Sequence, residues 1–171
     1  MAAALSLGVT GASGVAGQDA ARQGLAWGET PQAVQAAMPN LREVRNGDRL
    51  DAGRVRLRGE QAFAGLTVET RYYFNDDGLS MIALEGPRRK CREMIAAIDS
   101  RYGPTLRIAD EMILLNAIWH SEEDGARIRL MTSPAAGICT LHYEPLHLYR
   151  EHDLASPGLL RRDPRRDPPF G

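Results

Sequence analysis

Hydrophobic positions in this chain fall first at helical and then at strand spacing, and the progression occurs twice. Thr30 is a natural N-cap and Pro31 suits a first helical position. Val34, Ala37, Met38 and Leu41 then recur at helical intervals until Pro39 limits the run. Val55 and Leu57 alternate with Arg54, Arg56 and Arg58, which predicts a one-sided strand. Leu66, Val68, Tyr72 and Phe74 alternate with Thr67, Glu69, Arg71 and Tyr73, and Asp77-Gly78 supplies the positive φ that a tight hairpin needs before Leu79–Leu84 returns. A second helix is marked by a stripe of Cys91, Met94, Ile95, Ile98 and Tyr102, with Gly103-Pro104 as its stop. Strands are then expected at Met112–His120, Arg127–Met131 and Ile138–Tyr143, with turns at Asp124-Gly125 and at 134–137. The expected class is α+β: two helix-plus-antiparallel-meander repeats, with the helices packed on one face of an antiparallel sheet.

The pattern covers residues 26–145 as a single domain, flanked by 1–25 as a signal-like or disordered leader and by 146–171 as a Pro/Arg-rich disordered tail. A core of roughly 120 residues needs no metal to fold. Met1 to Gly17 has no charged residue, carries Leu5, Leu7 and Val9 among alanines, and closes on small residues, as a secretory signal does. The basic start of such a signal is missing, consistent with a true start further upstream or with a weak signal. The expected location is periplasmic or secreted. No lipid-anchor cysteine and no run of membrane-spanning length is present, so neither a lipid anchor nor a membrane span is expected. Net charge is −1 with scattered basic residues, so no field recruits nucleic acid. Lys90 is the single lysine; the other cationic side chains are arginine.

Cys91 opens the second helix's buried stripe, while Cys139 shares a strand face with Leu141 and Tyr143, so the two thiols should face one core. In an exported chain they would form a disulfide; two reduced core cysteines are the alternative. On the strand positions opposite the apolar ones stand Arg54, Arg56, Arg58, Glu69, Arg71, Tyr73, Arg127 and Arg129. Arginine forks and tyrosine rings are favoured at protein interfaces, and the alternative is a solvated sheet face.

Catalytic readings compete with this. Thr10-Gly11-Ala12-Ser13-Gly14-Val15-Ala16-Gly17 resembles the glycine loop of dinucleotide-binding dehydrogenases, but the strand ending in an acid about twenty residues on is missing, as is a Tyr-x-x-x-Lys pair. His142, His147 and His152, with Glu144, Glu151 and Asp153, offer metal-ligand chemistry at a spacing that fits neither one helix face nor one strand face. His120 could meet His142 across the sheet with Glu122 orienting it, with no nucleophile beside the pair. The Asp76-Asp77 and Glu122-Glu123-Asp124 clusters read as turn chemistry more than as calcium loops. No catalytic residue, metal or cofactor is therefore assigned. The alternative function is a small enzyme, nucleotide-binding through the N-terminal loop or metal-dependent through the C-terminal histidines.

The Thr-Pro-opened helix after Trp27-Gly28, the Tyr72-Tyr73-Phe74 strand before Asp76-Asp77-Gly78, and Arg101-Tyr102-Gly103-Pro104 together resemble the β-lactamase-inhibitor-protein-like (BLIP-like) fold. That fold is shared by small outer-membrane assembly lipoproteins of the SmpA/OmlA type. The resemblance implies an exported, non-catalytic module that binds another protein across a curved sheet, or plays a structural part. It does not extend to the lipidated cysteine, which this chain lacks.

Overall fold

The computed structural model describes residues 24–111, 114–133 and 135–155, with side chains described outside 107–114. Both readings of the glycine-rich leader, and the proline-arginine stretch from 156, lie outside the described residues. No helix among the described residues is long and apolar enough to cross a membrane.

The first helix, α1 (Pro31–Ala37), begins where Thr30 Oγ1 accepts a hydrogen bond from the Ala33 amide at 3.3 Å, with Pro31 spending none of the free N-terminal donors. Two short strands, β1 (Arg42–Glu43) and β2 (Arg49–Leu50), precede the long strands β3 (Gly53–Phe63), β4 (Leu66–Asn75) and β5 (Gly78–Pro87). The helix α2 (Cys91–Tyr102) follows, then β6 (Arg107–Glu111), β7 (Leu114–Ser121), β8 (Ala126–Ser133) and β9 (Ile138–Pro145). A 3₁₀ turn at Leu146–Leu148 leads into α3 (Arg150–Ala155).

The class is α+β. All strands join one sheet of order β1-β3-β4-β5-β9-β8-β7-β6, with β2 beside β3 and every pairing antiparallel. The meander β3-β4-β5 meets the meander β6-β7-β8-β9 through their last strands, where Leu84 lies opposite Leu141 and Ile82 opposite Tyr143. Gly78, at φ 103°, starts β5 under the chain preceding α1, and a Cβ there would collide with the Gly28 carbonyl. The close approach is sealed by Gly28 N–H to Leu79 O at 3.0 Å and Leu79 N–H to Glu29 O at 2.8 Å.

One face of the sheet supplies Leu57, Val68, Tyr72, Ile82, Leu84, Trp119, Ile128, Leu130, Leu141 and Tyr143 to the main buried cluster, which also holds Val34 of α1 and Cys91, Met94, Ile95 and Ile98 of α2. Burying a side chain of this size stabilises by about 1.5–3 kcal/mol, so this cluster dominates folding. The indole N–H of Trp119 is satisfied by Asp99 Oδ1 at 2.9 Å. Cys91 and Cys139 lie in this cluster at disulfide-bonding distance, their Cα atoms 5.6 Å apart, as the sequence leads one to expect.

Several elements depart from the sequence pattern. A bulge between Val55 and Leu57 sends these residues to opposite faces, so Val55 packs with Tyr73, Met81 and Ala83 in a second, smaller cluster. Strict alternation misses a bulge because the extra residue reverses the parity of everything beyond it. The strand expected at 112–120 is β7, and its partner β6 at Arg107–Glu111 is a further strand the pattern does not show, while β1 and β2 are too short to register as a period. Gly103 does take a positive φ of 81°, though its ψ of −176° is extended, not left-handed helical. Secondary structure also continues ten residues past Pro145, through the 3₁₀ turn and α3, into the segment the composition assigns to the tail.

Candidate functional site

The second face of the sheet carries the chemistry. Because side chains alternate along a strand, each register pair puts its two side chains on the same face. Reading across the ladders, Arg58, Arg71, Ala83, His142, Arg129 and Ile118 form one row, each opposite the next. Beside it, Val55, Tyr73 and Met81 form a second row on β3, β4 and β5, and Glu144, Arg127 and His120 a third on β9, β8 and β7.

Arg127 is the hub of a buried ion network. Its Nε donates to Asp153 Oδ2 at 2.7 Å and its Nη2 to Asp153 Oδ1 at 2.9 Å, a two-pronged pair, while Nη1 donates to Glu144 Oε2 at 2.6 Å. The guanidinium carbon sits 4.7 Å from the centroid of the Tyr149 ring. His120 Nε2 approaches Asp153 Oδ2 at 2.9 Å. Burial alone would push the Asp153 carboxyl up, but the hydrogen bonds from Arg127 and His120 outweigh it and hold it below the usual range. Burial likewise opposes the charge on Arg127, and the bonds to Asp153 and Glu144 more than restore it. Asp153 stands on α3, so the segment after Pro145 is clamped back onto the second face.

Arg129 is held more loosely. Its Nη2 is 3.6 Å from Glu144 Oε1 and 3.3 Å from His142 Nδ1, and its Nε is buried with no hydrogen-bond partner. A guanidinium only donates, so His142 Nδ1 accepts and the imidazole proton resides on Nε2. Burial, then the charges of Arg129 and Arg127, depress the His142 pKa to about 4, so the ring is neutral at pH 7.

That depression sets a pH window. The unfolded chain takes up a proton on this histidine near pH 6.5 while the folded chain resists until about pH 4, so stability falls as pH is lowered through that interval. Between pH 7 and pH 4, His142 is expected to account for a loss of about 3 kcal/mol. Asn at position 142 keeps an acceptor for Arg129 without titrating. Urea unfolding of His142→Asn should therefore show that much less pH dependence than the parent, and equal slopes would contradict the assignment.

Between the rows lies an open cleft of about 830 Å³, with Leu50, Met81, Met131 and Tyr149 as apolar walls and Arg129 and His142 among its polar lining. Arg71, in contrast, is occupied, pairing with Glu69 at 2.9 Å and Glu85 at 3.0 Å.

Of the seven residues proposed from sequence as an interface, Arg58, Arg71, Tyr73, Arg127 and Arg129 share the second face. Arg54 does not: it lies opposite Phe74, which belongs to the main cluster, and its Nη1 donates to Gly47 O at 3.0 Å. Arg56 sits at the bulge itself. Tyr73 and Arg127 are buried, contrary to their reading as exposed contacts, because a second cluster and α3 cover them. The histidines at 142, 147 and 152 are not gathered: His142 is buried on the sheet, whereas His147 and His152 are exposed. Among the described residues, no group of three or more His, Cys, Asp or Glu side chains could hold a metal ion. His120 takes Asp153 as its partner in place of Glu122, which pairs with Arg150.

Sequence reasoning missed Tyr149, Met81 and Met131, and offered Asp153 only as a metal-ligand candidate beside the C-terminal histidines, not as the partner of Arg127. Met131 keeps the parity of Arg127 and Arg129, and the run Leu79 to Leu84, apolar except at Ser80, signals a strand covered on both faces, so Met81 and Met131 were legible. The pairing of Asp153 with Arg127 carried no local signal, since the two are 26 residues apart.

No protein-family model matches the chain, and no curated protein matches it. Among solved structures it is similar to a DUF4309 family protein (YjgB) from Bacillus subtilis subsp. subtilis str. 168, at 10% sequence identity and a TM-score of 0.39, over 68% of this chain and 78% of that one. The functional reading therefore rests on the chemistry of the second face.

Proposed function

We propose that the protein is an exported, non-catalytic module, periplasmic or secreted, that binds another protein through the second face of its sheet. The observation that carries this reading is the row from Arg58 through Arg71 and His142 to Arg129, set beside an apolar-walled cleft and braced from behind by a buried core. Rigid strands presenting arginines next to Met81, Met131 and Tyr149 suit protein recognition, because little side-chain freedom is lost on binding. The signal-like leader and the cysteine pair support export.

The architecture has a further regularity. The two meanders join through their final strands, each is preceded by a helix whose side chains enter the main cluster, and both hairpins turn at an acidic stretch closed by glycine, Gly78 and Gly125. We read this as a duplicated helix-plus-meander unit with both helices on one face, in keeping with the BLIP-like resemblance.

Arg56 and Arg58 are exposed on β3, and Arg71 adjoins Arg58 across the ladder. A variant with Arg56→Ser, Arg58→Ser and Arg71→Ser should keep the parent's circular dichroism and melting profile, yet capture at least about tenfold less of any partner cross-linked in an exported-protein extract. Unchanged capture would place the interface elsewhere.

A further inference from the structure

We infer that Arg127 and His120 form a receptor for an acidic side chain of a partner polypeptide, and that Asp153 on α3 fills it from within the chain as a displaceable stand-in. This deepens, and rests on, the reading of the second face as a protein-binding surface.

The residue now in place shows what the receptor takes. Asp153 meets Arg127 through both of its oxygens, at 2.7 Å to Nε and 2.9 Å to Nη2, and meets His120 Nε2 at 2.9 Å. An ionised carboxylate only accepts, so the imidazole is the donor and carries a hydrogen on Nε2. Three donors thus converge on one planar, two-oxygen group, a match that a side-chain amide with its single oxygen cannot make. Charge points the same way. With α3 lifted, the network keeps the guanidiniums of Arg127 and Arg129 against the one carboxylate of Glu144, an excess of positive charge that an arriving carboxylate neutralises. Glu144, on β9, holds Arg127 Nη1 at 2.6 Å, so the fork stays aimed while the occupant changes.

The hold on α3 is polar. From His147 to Ala155, Asp153 is buried, Tyr149 is half-buried and every other residue is exposed, Leu148 at 61% and Leu154 at 57%. By contrast, α1 and α2 both send apolar side chains into the main cluster. The backbone is tied to the β7–β8 turn by Leu146 N–H to Gly125 O at 2.9 Å, whereas the amides of Tyr149 and Asp153 donate within the segment itself. Besides Asp153, the Tyr149 ring over Arg127 and the exposed pair of Arg150 with Glu122 hold it down. Lifting α3 returns Asp153 and Arg127 to water together, so recovered hydration offsets much of the lost attraction; deleting one partner, in contrast, strands the other. Arg127 and Tyr149 also line the open cleft of about 830 Å³, which gives a partner seated there a route to the receptor.

The probe is a peptide copying residues 149–155, capped at both ends, titrated into the full-length protein and followed by NMR at the Arg127 Nε–H and the His120 ring. Asp153→Asn withdraws the competing charge with little change of shape, and in that variant the peptide should give saturable shifts at both groups. The same peptide with asparagine in place of its aspartate should bind about tenfold more weakly. In the parent α3 competes for the receptor, so the apparent affinity should be about tenfold lower than in the variant. Absence of saturable shifts in the variant, equal binding of the two peptides, or equal affinity in variant and parent would overturn the inference. Should Asp153→Asn fail to fold, the two peptides are compared on the parent, where no preference for the aspartate peptide would overturn it as well. The titration reads the Arg127 end of the face and the Arg56/Arg58/Arg71 capture reads the β3–β4 end. Loss of one result with survival of the other therefore shows which reading has failed.

Discussion

Replacing Arg127 by methionine is expected to destabilise the protein by about 3–5 kcal/mol at pH 7. The residue is 6% exposed, and the two carboxylates it serves, Glu144 at 3% and Asp153 at 2%, would be left buried without their main cation, Arg129 standing 3.6 Å from Glu144. Taking charges out of water costs several kcal/mol each, so the loss reflects the stranded partners more than the strength of any one bond. This makes the sign of the pH response diagnostic. Lowering the pH protonates the stranded carboxylates and should narrow the gap between variant and parent. In the parent, Asp153 has its pKa held down by Arg127 and His120, so its contribution is complete above its unfolded value near 3.9 and is lost as the pH falls further. A triple variant, Arg127→Met with Glu144→Leu and Asp153→Leu, should recover most of the stability, because none of the three buried charges of the network is left unpaired. A cost below about 1 kcal/mol for the single change would mean that the network behaves like an exposed pair.

Reduction of the cysteine pair, or the double change Cys91→Ala and Cys139→Ala, is expected to cost about 4 kcal/mol, the loop-entropy value for a bridge across 48 residues. The loop encloses α2 and β6 to β8, so in the reduced unfolded chain half of the sheet separates freely from the helix that covers it. Alanine also removes two sulfurs from the main cluster, which adds a packing loss that simple reduction does not. The two treatments together separate cross-linking from packing. Identical urea midpoints with and without reductant would show that no bond constrains the chain.

Where the sequence carried a period, the fold was legible. Cys91, Met94, Ile95 and Ile98 recur at helical intervals and all four are buried in α2; Ile128 and Leu130 alternate with Arg127 and Arg129, and β8 keeps that parity. Legibility ended where parity changes or where a partner is remote. The bulge at Arg56 moved Val55 to the second face, and no local rule marks that residue as an insertion. Asp153 is an acidic residue in a polar stretch until it is placed against Arg127 and His120, which are distant in sequence. The same holds for the candidate site. Its arginines were visible as a strand periodicity, but that Arg71 and Arg127 are already occupied while Arg129 keeps an unused Nε–H depends on which carboxylates the fold brings near.

We propose an exported domain whose main core joins α2 to β9 at Cys91 and Cys139 and whose second face, where α3 leaves it open, binds another protein. The most direct measurement is a thiol count on the unfolded, unreduced protein taken from the compartment where the cell keeps it. The account predicts that neither Cys91 nor Cys139 reacts. Two reactive thiols per chain would contradict it.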